Sequence, residues 1–207
     1  TAGEDSQLLY IDTSTPLIFN TPFQLMSAVM LSAQTTDAQV NKATPDLFAR
    51  YPDASAMSKA PLAEVESLIR SIGFYRNKAR NLIGAARMLC DEFGSQVPST
   101  MDELVRLPGI GRKSAGVVLS AVYGKPAIIV DTHFGRVIRR LGFSEHTDPV
   151  KLEFDLASWL PESLWSPSSM LLNFHGRDCC KARRPLCDDC PVSKYCPSYP
   201  IEIRAAN

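Results

Sequence analysis

Five cysteines lie in the eighteen residues from Cys179 to Cys196, CCKARRPLCDDCPVSKYC, whereas the other 189 residues of the 207-residue chain carry only Cys90. No other feature constrains the fold as much, because a short loop holding that many thiols needs disulfides or a metal centre to bring them together. The N-terminal stretch TAGEDSQLLYIDTSTP is acidic and lacks the basic start and apolar run of a secretory signal. No apolar run approaches the ~20 residues of a membrane helix. A cytoplasmic protein with no membrane association is therefore expected, and in that reducing setting clustered thiols point to metal rather than structural disulfides.

With Cys179 set aside, the spacing reads Cys180-x6-Cys187-x2-Cys190-x5-Cys196. Four thiolates so placed suit one zinc ion or a cubane [4Fe–4S] cluster with one cysteine per iron. Zinc modules commonly pair two close CxxC units and only one close pair is present, so the spacing favours the larger cluster while leaving zinc open. Adjacent side chains at a helix end point apart, which makes Cys180 the expected ligand and Cys179 the bystander. Lys181, Arg183 and Arg184 fall inside the first intercysteine segment, where an ordered loop would hold them against phosphate or as charge balance for the thiolates.

The rest of the chain reads as helix after helix, and 45% apolar composition over this length suffices for a buried core. In TPFQLMSAVMLSAQ, Thr21 is the expected N-cap, Pro22 the first helical residue and Gln24 the partner in a capping box. Leu25, Val29 and Met30 then share one buried face. DAQVNKATPDLFARYP predicts a helix bent or split before Pro45. APLAEVESLIRSIG predicts one from Pro61 to near Gly73. FYRNKARNLIGAARMLCDEFG predicts a longer one with Leu82, Ala85, Ala86, Leu89 and Phe93 inward, Cys90 packing beside them and Gly94 ending it. The short apolar run AIIV at 127–130 has no evident partner strand and reads as a buried connector leading to Asp131.

Net charge is zero, but basic residues gather locally. Arg70, Arg76, Lys78, Arg80 and Arg87 form one acid-free group, and Arg106, Arg112, Lys113, Lys125, Arg136, Arg139 and Arg140 face only Asp131 in another. Such groups serve as ordinary helix surface or as a face for a polyanion. Within the second group LPGIGRKSAG places Gly109 and Gly111 in a turn whose backbone amides, with those of the following helix, suit a phosphate. The spacing is not that of a nucleotide P-loop. Lys113 follows at the head of that helix, where the dipole opposes its charge and favours a neutral, nucleophilic amine. Asp131 reads as a helix cap or as a catalytic carboxylate, with His133 beside it.

Taken in order, LMSAVMLSAQTTDAQVNKA, SIGFYRNKARNL, LPGIGRKSAGVVL, VDTHFGRV and HGRDCCKARRPLCDDCPVSKYC resemble the endonuclease III family of DNA glycosylases, in the helix-hairpin-helix superfamily. The resemblance spans roughly residues 23–196 and implies an all-α, two-domain fold: a helical barrel with the hairpin over residues 15–125, and a cluster domain formed by residues 1–14 and 126–207. It implies a [4Fe–4S] cluster on Cys180, Cys187, Cys190 and Cys196, with DNA between the domains and Lys113 brought opposite Asp131. By the same resemblance, a damaged pyrimidine is flipped from duplex DNA and Lys113 attacks the sugar C1′. Asp131 activates the amine or steadies positive charge, and the imine allows β-elimination. Gly109, Ile110 and Gly111 would offer amides to phosphate with Arg112 beside them, Gln34 would fill the space left by the flipped nucleotide, and Phe74 would stand as the wedge where bacterial relatives commonly carry leucine. An adenine-specific branch of the superfamily usually lacks the lysine, and the glutamate it carries near VMLSAQ is absent here. A monomer acting on damaged double-stranded DNA is expected, without an obligate protein partner, and in the nucleoid if the source is bacterial. The alternative is a non-catalytic or weakly active iron–sulfur protein that binds lesion DNA.

Overall fold

Helix α1 (Pro22–Ser32) begins where the sequence predicts: the Thr21 hydroxyl accepts from the Gln24 N–H at 3.2 Å, with Pro22 in the first turn. The Gln24 side chain reaches back one residue further than a capping box requires, accepting from the Asn20 N–H at 2.8 Å. Nine of the eleven residues of α1 are buried, where the spacing had suggested a single buried face. A helix covered on all sides belongs at the centre of its unit, and α1 packs against α2 (Asp37–Arg50), α5 (Tyr75–Glu92) and α7 (Arg112–Tyr123). The computed structural model describes residues 15–201, in which ten α-helices and no strand occur. The expected packing of the N-terminal residues with the C-terminal part lies outside the described residues.

The chain divides into two units, one over Thr15–Lys125 and the other from Pro126 onward. In the first, α3 (Ala54–Ser58) packs on α5, α4 (Leu62–Leu68) on α5 and α2, and α6 (Met101–Leu104) on α7. The helix expected to be bent or split before Pro45 is not split: α2 runs through the proline as one element. Proline removes one helical hydrogen bond and crowds the preceding turn, at about 3 kcal/mol. Val40 and Leu47, both fully buried on either side, contribute ~1.5–3 kcal/mol each and keep the helix continuous. Helix α4 stops at Leu68, earlier than predicted, and the chain continues as turns that still bury Ile69 and Ile72. On α5 the predicted stripe of Leu82, Ala85, Ala86 and Leu89 is buried, with Phe93 and Cys90 partly buried against it. Lys78, counted with the surface cations by its sequence context, is buried as well.

In the second unit, AIIV forms no strand. Its backbone is satisfied by side chains instead: the Ala127 N–H donates to Ser166 Oγ at 3.1 Å and the Ile129 N–H to Ser169 Oγ at 2.9 Å. Helices α8 (Thr132–Arg140), α9 (Pro149–Ala157) and α10 (Trp165–Asp178) follow. Their shared core is small: Ile128, Phe134, Ile138, Leu152 and Leu156. Gly176 sets the closeness of α8 and α10, since a Cβ there would stand 3.0 Å from the His133 Cβ. From Arg177 to Ile201 no residue is buried, so the cysteine loop has no apolar core of its own.

Candidate active site and cysteine centre

The glycine turn has strict backbone demands. Gly109 sits at φ +81°, and a Cβ on it would come within 2.8 Å of the Asn81 side chain on α5. Gly111 then caps α7 in extended conformation, and Lys113 lies exposed on the first turn of that helix. One expected feature needs correction. Ile110 is 5% exposed and its N–H donates to the Leu107 carbonyl at 3.1 Å, because its side chain is drawn into the core and closes the turn. Its amide is therefore spent, and an anion at this turn would meet the amides of Gly109 and Gly111. Arg112 already has an interaction partner within the protein.

Two other candidate DNA contacts share a rare backbone state. Gln34, in the turn after α1, has φ 55°, and Phe74, the residue before α5, has φ 58°. Both are exposed, Phe74 to 66%. Left-handed backbone costs a residue with a Cβ roughly 1–2 kcal/mol, and it persists where surrounding structure enforces it. Arg184 in the cysteine loop is a third case, at φ 54°, and it is exposed together with Lys181 and Arg183.

Asp131 caps α8. Its Oδ1 accepts from the Phe134 N–H at 2.7 Å and its Oδ2 from the Asn173 side-chain amide. A carboxylate offers about four lone-pair sites, so capping leaves acceptor capacity on the half-buried group. Asn173 was not singled out from sequence: it lies 42 residues away in an unremarked helical stretch, and only the packing of α10 on α8 brings it to Asp131. His133 turns the other way, with Nδ1 3.3 Å from Arg136 Nη2. Lys113 and Asp131 belong to different units.

Cys180, Cys187, Cys190 and Cys196 line one cavity together with Cys179 and His175. Cys179 borders the cavity as well. The ligand atoms of His175, Cys179 and Cys190 fall within 4.8 Å of one another, and His175 Nε2 lies 3.7 Å from Cys190 Sγ. Helix α10 ends at Asp178 with Cys179 as its C-cap, and the two adjacent cysteines both border the cavity. Burial, and then the neighbouring Cys190, Cys180 and Cys187, push the Cys179 thiol up to about 12. Burial also lowers His175 below the ordinary histidine value, with Asp178 opposing it. Four cysteines around one cavity give a donor set that fits a [4Fe–4S] cluster, one thiolate per iron. Two arginines of α8, read from sequence as surface cations, pin the loop instead. Arg140 donates to Cys180 Sγ at 3.2 Å and to the Lys181 carbonyl at 2.8 Å, and Arg136 donates to the Cys180 and Gly176 carbonyls at 3.0 and 2.7 Å. Burial lowers the Arg136 pKa, and Arg140 adds to the effect.

Comparison with known proteins agrees with this layout. Residues 27–162 match the HhH-GPD superfamily of base excision DNA repair proteins, and residues 180–196 match the iron–sulfur binding domain of endonuclease III. Endonuclease III of Synechocystis is 47% identical, over 92% of this chain and 87% of its own length, and that of Bacillus subtilis 45% identical, over 87% and 83%. Two solved structures are similar at 44% identity over 94% of the chain: a non-covalent endonuclease III–DNA complex (TM-score 0.85, 91% of that chain) and a trapped endonuclease III–DNA covalent intermediate (TM-score 0.86, 92%).

Proposed function

The chain belongs to the endonuclease III family, and on that premise we propose that it is a bifunctional DNA glycosylase and AP lyase acting on oxidised pyrimidines in duplex DNA. The observation that carries this reading is the similarity to an endonuclease III trapped covalently on DNA, joined to an exposed amine, Lys113, at the head of the helix after the glycine turn. The neutral Lys113 amine attacks the sugar C1′ as the C1′–N bond breaks and the base leaves with a proton. Loss of a second proton and opening of the sugar give an imine between Lys113 and C1′. A proton then leaves C2′, the C3′–O bond breaks, and the strand is cut 3′ to the lesion.

Asp131 supplies the carboxylate that takes the amine's proton or steadies the charge developing on the sugar. Asn173 and the Phe134 amide orient it. Gln34 and Phe74 enter the duplex around the extruded nucleotide, Gly109 and Gly111 hold a phosphate, and Arg112, Lys181, Arg183 and Arg184 contact the backbone. Cys180, Cys187, Cys190 and Cys196 hold the [4Fe–4S] cluster, which when bound gives the cysteine loop its centre. Among the described residues no helix is long and apolar enough to cross a membrane. The protein works as a monomer in the cytoplasm, on nucleoid DNA if the source is bacterial.

A single-turnover assay on duplex carrying thymine glycol tests this. Free base together with a β-eliminated 3′ end is expected. Base release with an intact strand would leave a simple glycosylase, and tight binding without either product would leave a lesion-binding protein.

A further inference from the structure

We propose that Lys78 is a positioning residue that locks two loops together, so that Gln34 and Phe74 meet the duplex as one rigid pair. The proposal rests on the reading of those two residues as the ones that enter DNA. The whole arrangement lies within the 15–125 unit.

Lys78 sits one turn into α5, and its N–H donates to the Phe74 carbonyl at 3.1 Å. Its side chain crosses to the turn after α1. There Nζ donates to the Leu31 carbonyl at 2.8 Å, the Ala33 carbonyl at 2.7 Å and Thr35 Oγ1 at 2.9 Å. An ammonium has three donors and no acceptor, so every proton is matched. Two acceptors, on Ala33 and Thr35, bracket Gln34 itself. Lys78 is 7% exposed. Burial lowers its pKa, and the three acceptors, with the negative end of α1, oppose that loss of the proton.

A helix C-terminus needs only its last carbonyls satisfied. A cation that served α1 alone would stop at Leu31 and Ala33. The reach to Thr35, beyond the left-handed Gln34, serves the turn instead. The two turns also lie close to one another: a Cβ added to Gly73 would lie 3.9 Å from the Gln34 carbonyl oxygen and from Thr35 Oγ1. Both left-handed residues are thus tied to one residue, Gln34 through the neighbours that accept from Lys78 Nζ and Phe74 through its carbonyl, which accepts from the Lys78 backbone N–H in the first turn of α5. Without Nζ the Gln34 turn loses its tie to the helix that begins at Phe74, so both side chains remain present but lose their fixed spacing, and the loss falls on extrusion of the nucleotide and not on the chemistry at Lys113.

The test uses the full chain with its cluster. Lys78→Met keeps the length of the side chain and removes the three hydrogen bonds; Thr35→Val removes one acceptor and serves if Lys78→Met does not fold. A thymine glycol duplex with 2-aminopurine beside the lesion reports unstacking by fluorescence and excision by product. Single-stranded DNA with an abasic site, which needs no extrusion, reports chemistry through borohydride trapping. Lys78→Met is expected to slow both the fluorescence rise and excision by roughly ten- to a hundredfold. Thr35→Val should do the same more weakly, with trapping on the single strand unchanged in both. Wild-type fluorescence kinetics in both variants, or an equal loss on the single strand, would overturn the proposal. Gln34→Ala and Phe74→Ala serve as the separate control: if neither alters the fluorescence trace, the reading of them as DNA-entering residues fails, whatever Lys78 does.

Discussion

The two units are held together by different physics. Within residues 15–125, 31 buried apolar residues form one continuous core around α1. Among the described residues of the second unit the corresponding cluster has five, and the cysteine loop contributes none. That loop is held by arginine hydrogen bonds to its carbonyls and by whatever joins its thiols. A hydrophobic unit tolerates the strained backbone of Gln34 and Phe74, because burial of its many apolar side chains, each worth ~1.5–3 kcal/mol, exceeds that cost several times over. A loop without a core has no such reserve, so its order and the placement of Lys181, Arg183 and Arg184 depend on the metal centre.

The largest expected effect follows from this contrast. Cys190→Ala, which removes a thiol central to the cavity, should strip amide-exchange protection from residues 179–199 while the helices of 15–125 keep theirs. Equal protection in both regions with the cluster gone would break the comparison. Next in size are paired core truncations. Phe134→Ala should cost about 3–5 kcal/mol and Leu25→Ala about 2–5 kcal/mol. Proteolysis should open the second unit first in the Phe134 variant and the first unit first in the Leu25 variant. A single cleavage pattern for both would mean that the two cores are not separate. Asn173→Leu removes a hydrogen bond to a charged group, worth about 1.5–3 kcal/mol. It should slow single-turnover excision by that factor, roughly ten- to a hundredfold, with little change in lesion binding.

The smallest effect lies at the surface of the well-packed unit. The hydrogen bond from Arg50 holds the Glu64 carboxyl below the ordinary glutamate value. A depressed carboxylate stabilises the fold above its unfolded pKa and loses that contribution as pH falls through the folded one. Both partners are open to water, so Glu64→Gln should lower the melting temperature only slightly at neutral pH, and the difference from the natural chain should vanish in acid, where the Glu64 carboxyl is already protonated.

Local chemistry was legible in the sequence and long-range packing was not. Thr21 and Asp131 announce their helices because a cap acts within three residues. The helix stripes, the glycine turn and the cysteine spacing are equally local. Lys78 looked like one more surface cation, since nothing near it in sequence shows the turn 43 to 47 residues away that its amine enters. Arg136 and Arg140 were misread for the same reason, their acceptors lying 40 or more residues on. Propensity alone suggests a helix bent or split at Pro45; the burial of Val40 and Leu47, which keeps it continuous, is set by the fold.

Borohydride reduction in the presence of abasic or thymine glycol duplex tests the central claim most directly. The intact chain should give a covalent protein–DNA adduct, and Lys113→Gln should abolish it while retaining the [4Fe–4S] absorbance and lesion binding. No adduct from the intact chain, or an adduct undiminished by Lys113→Gln, would contradict the assignment of Lys113 as the nucleophile.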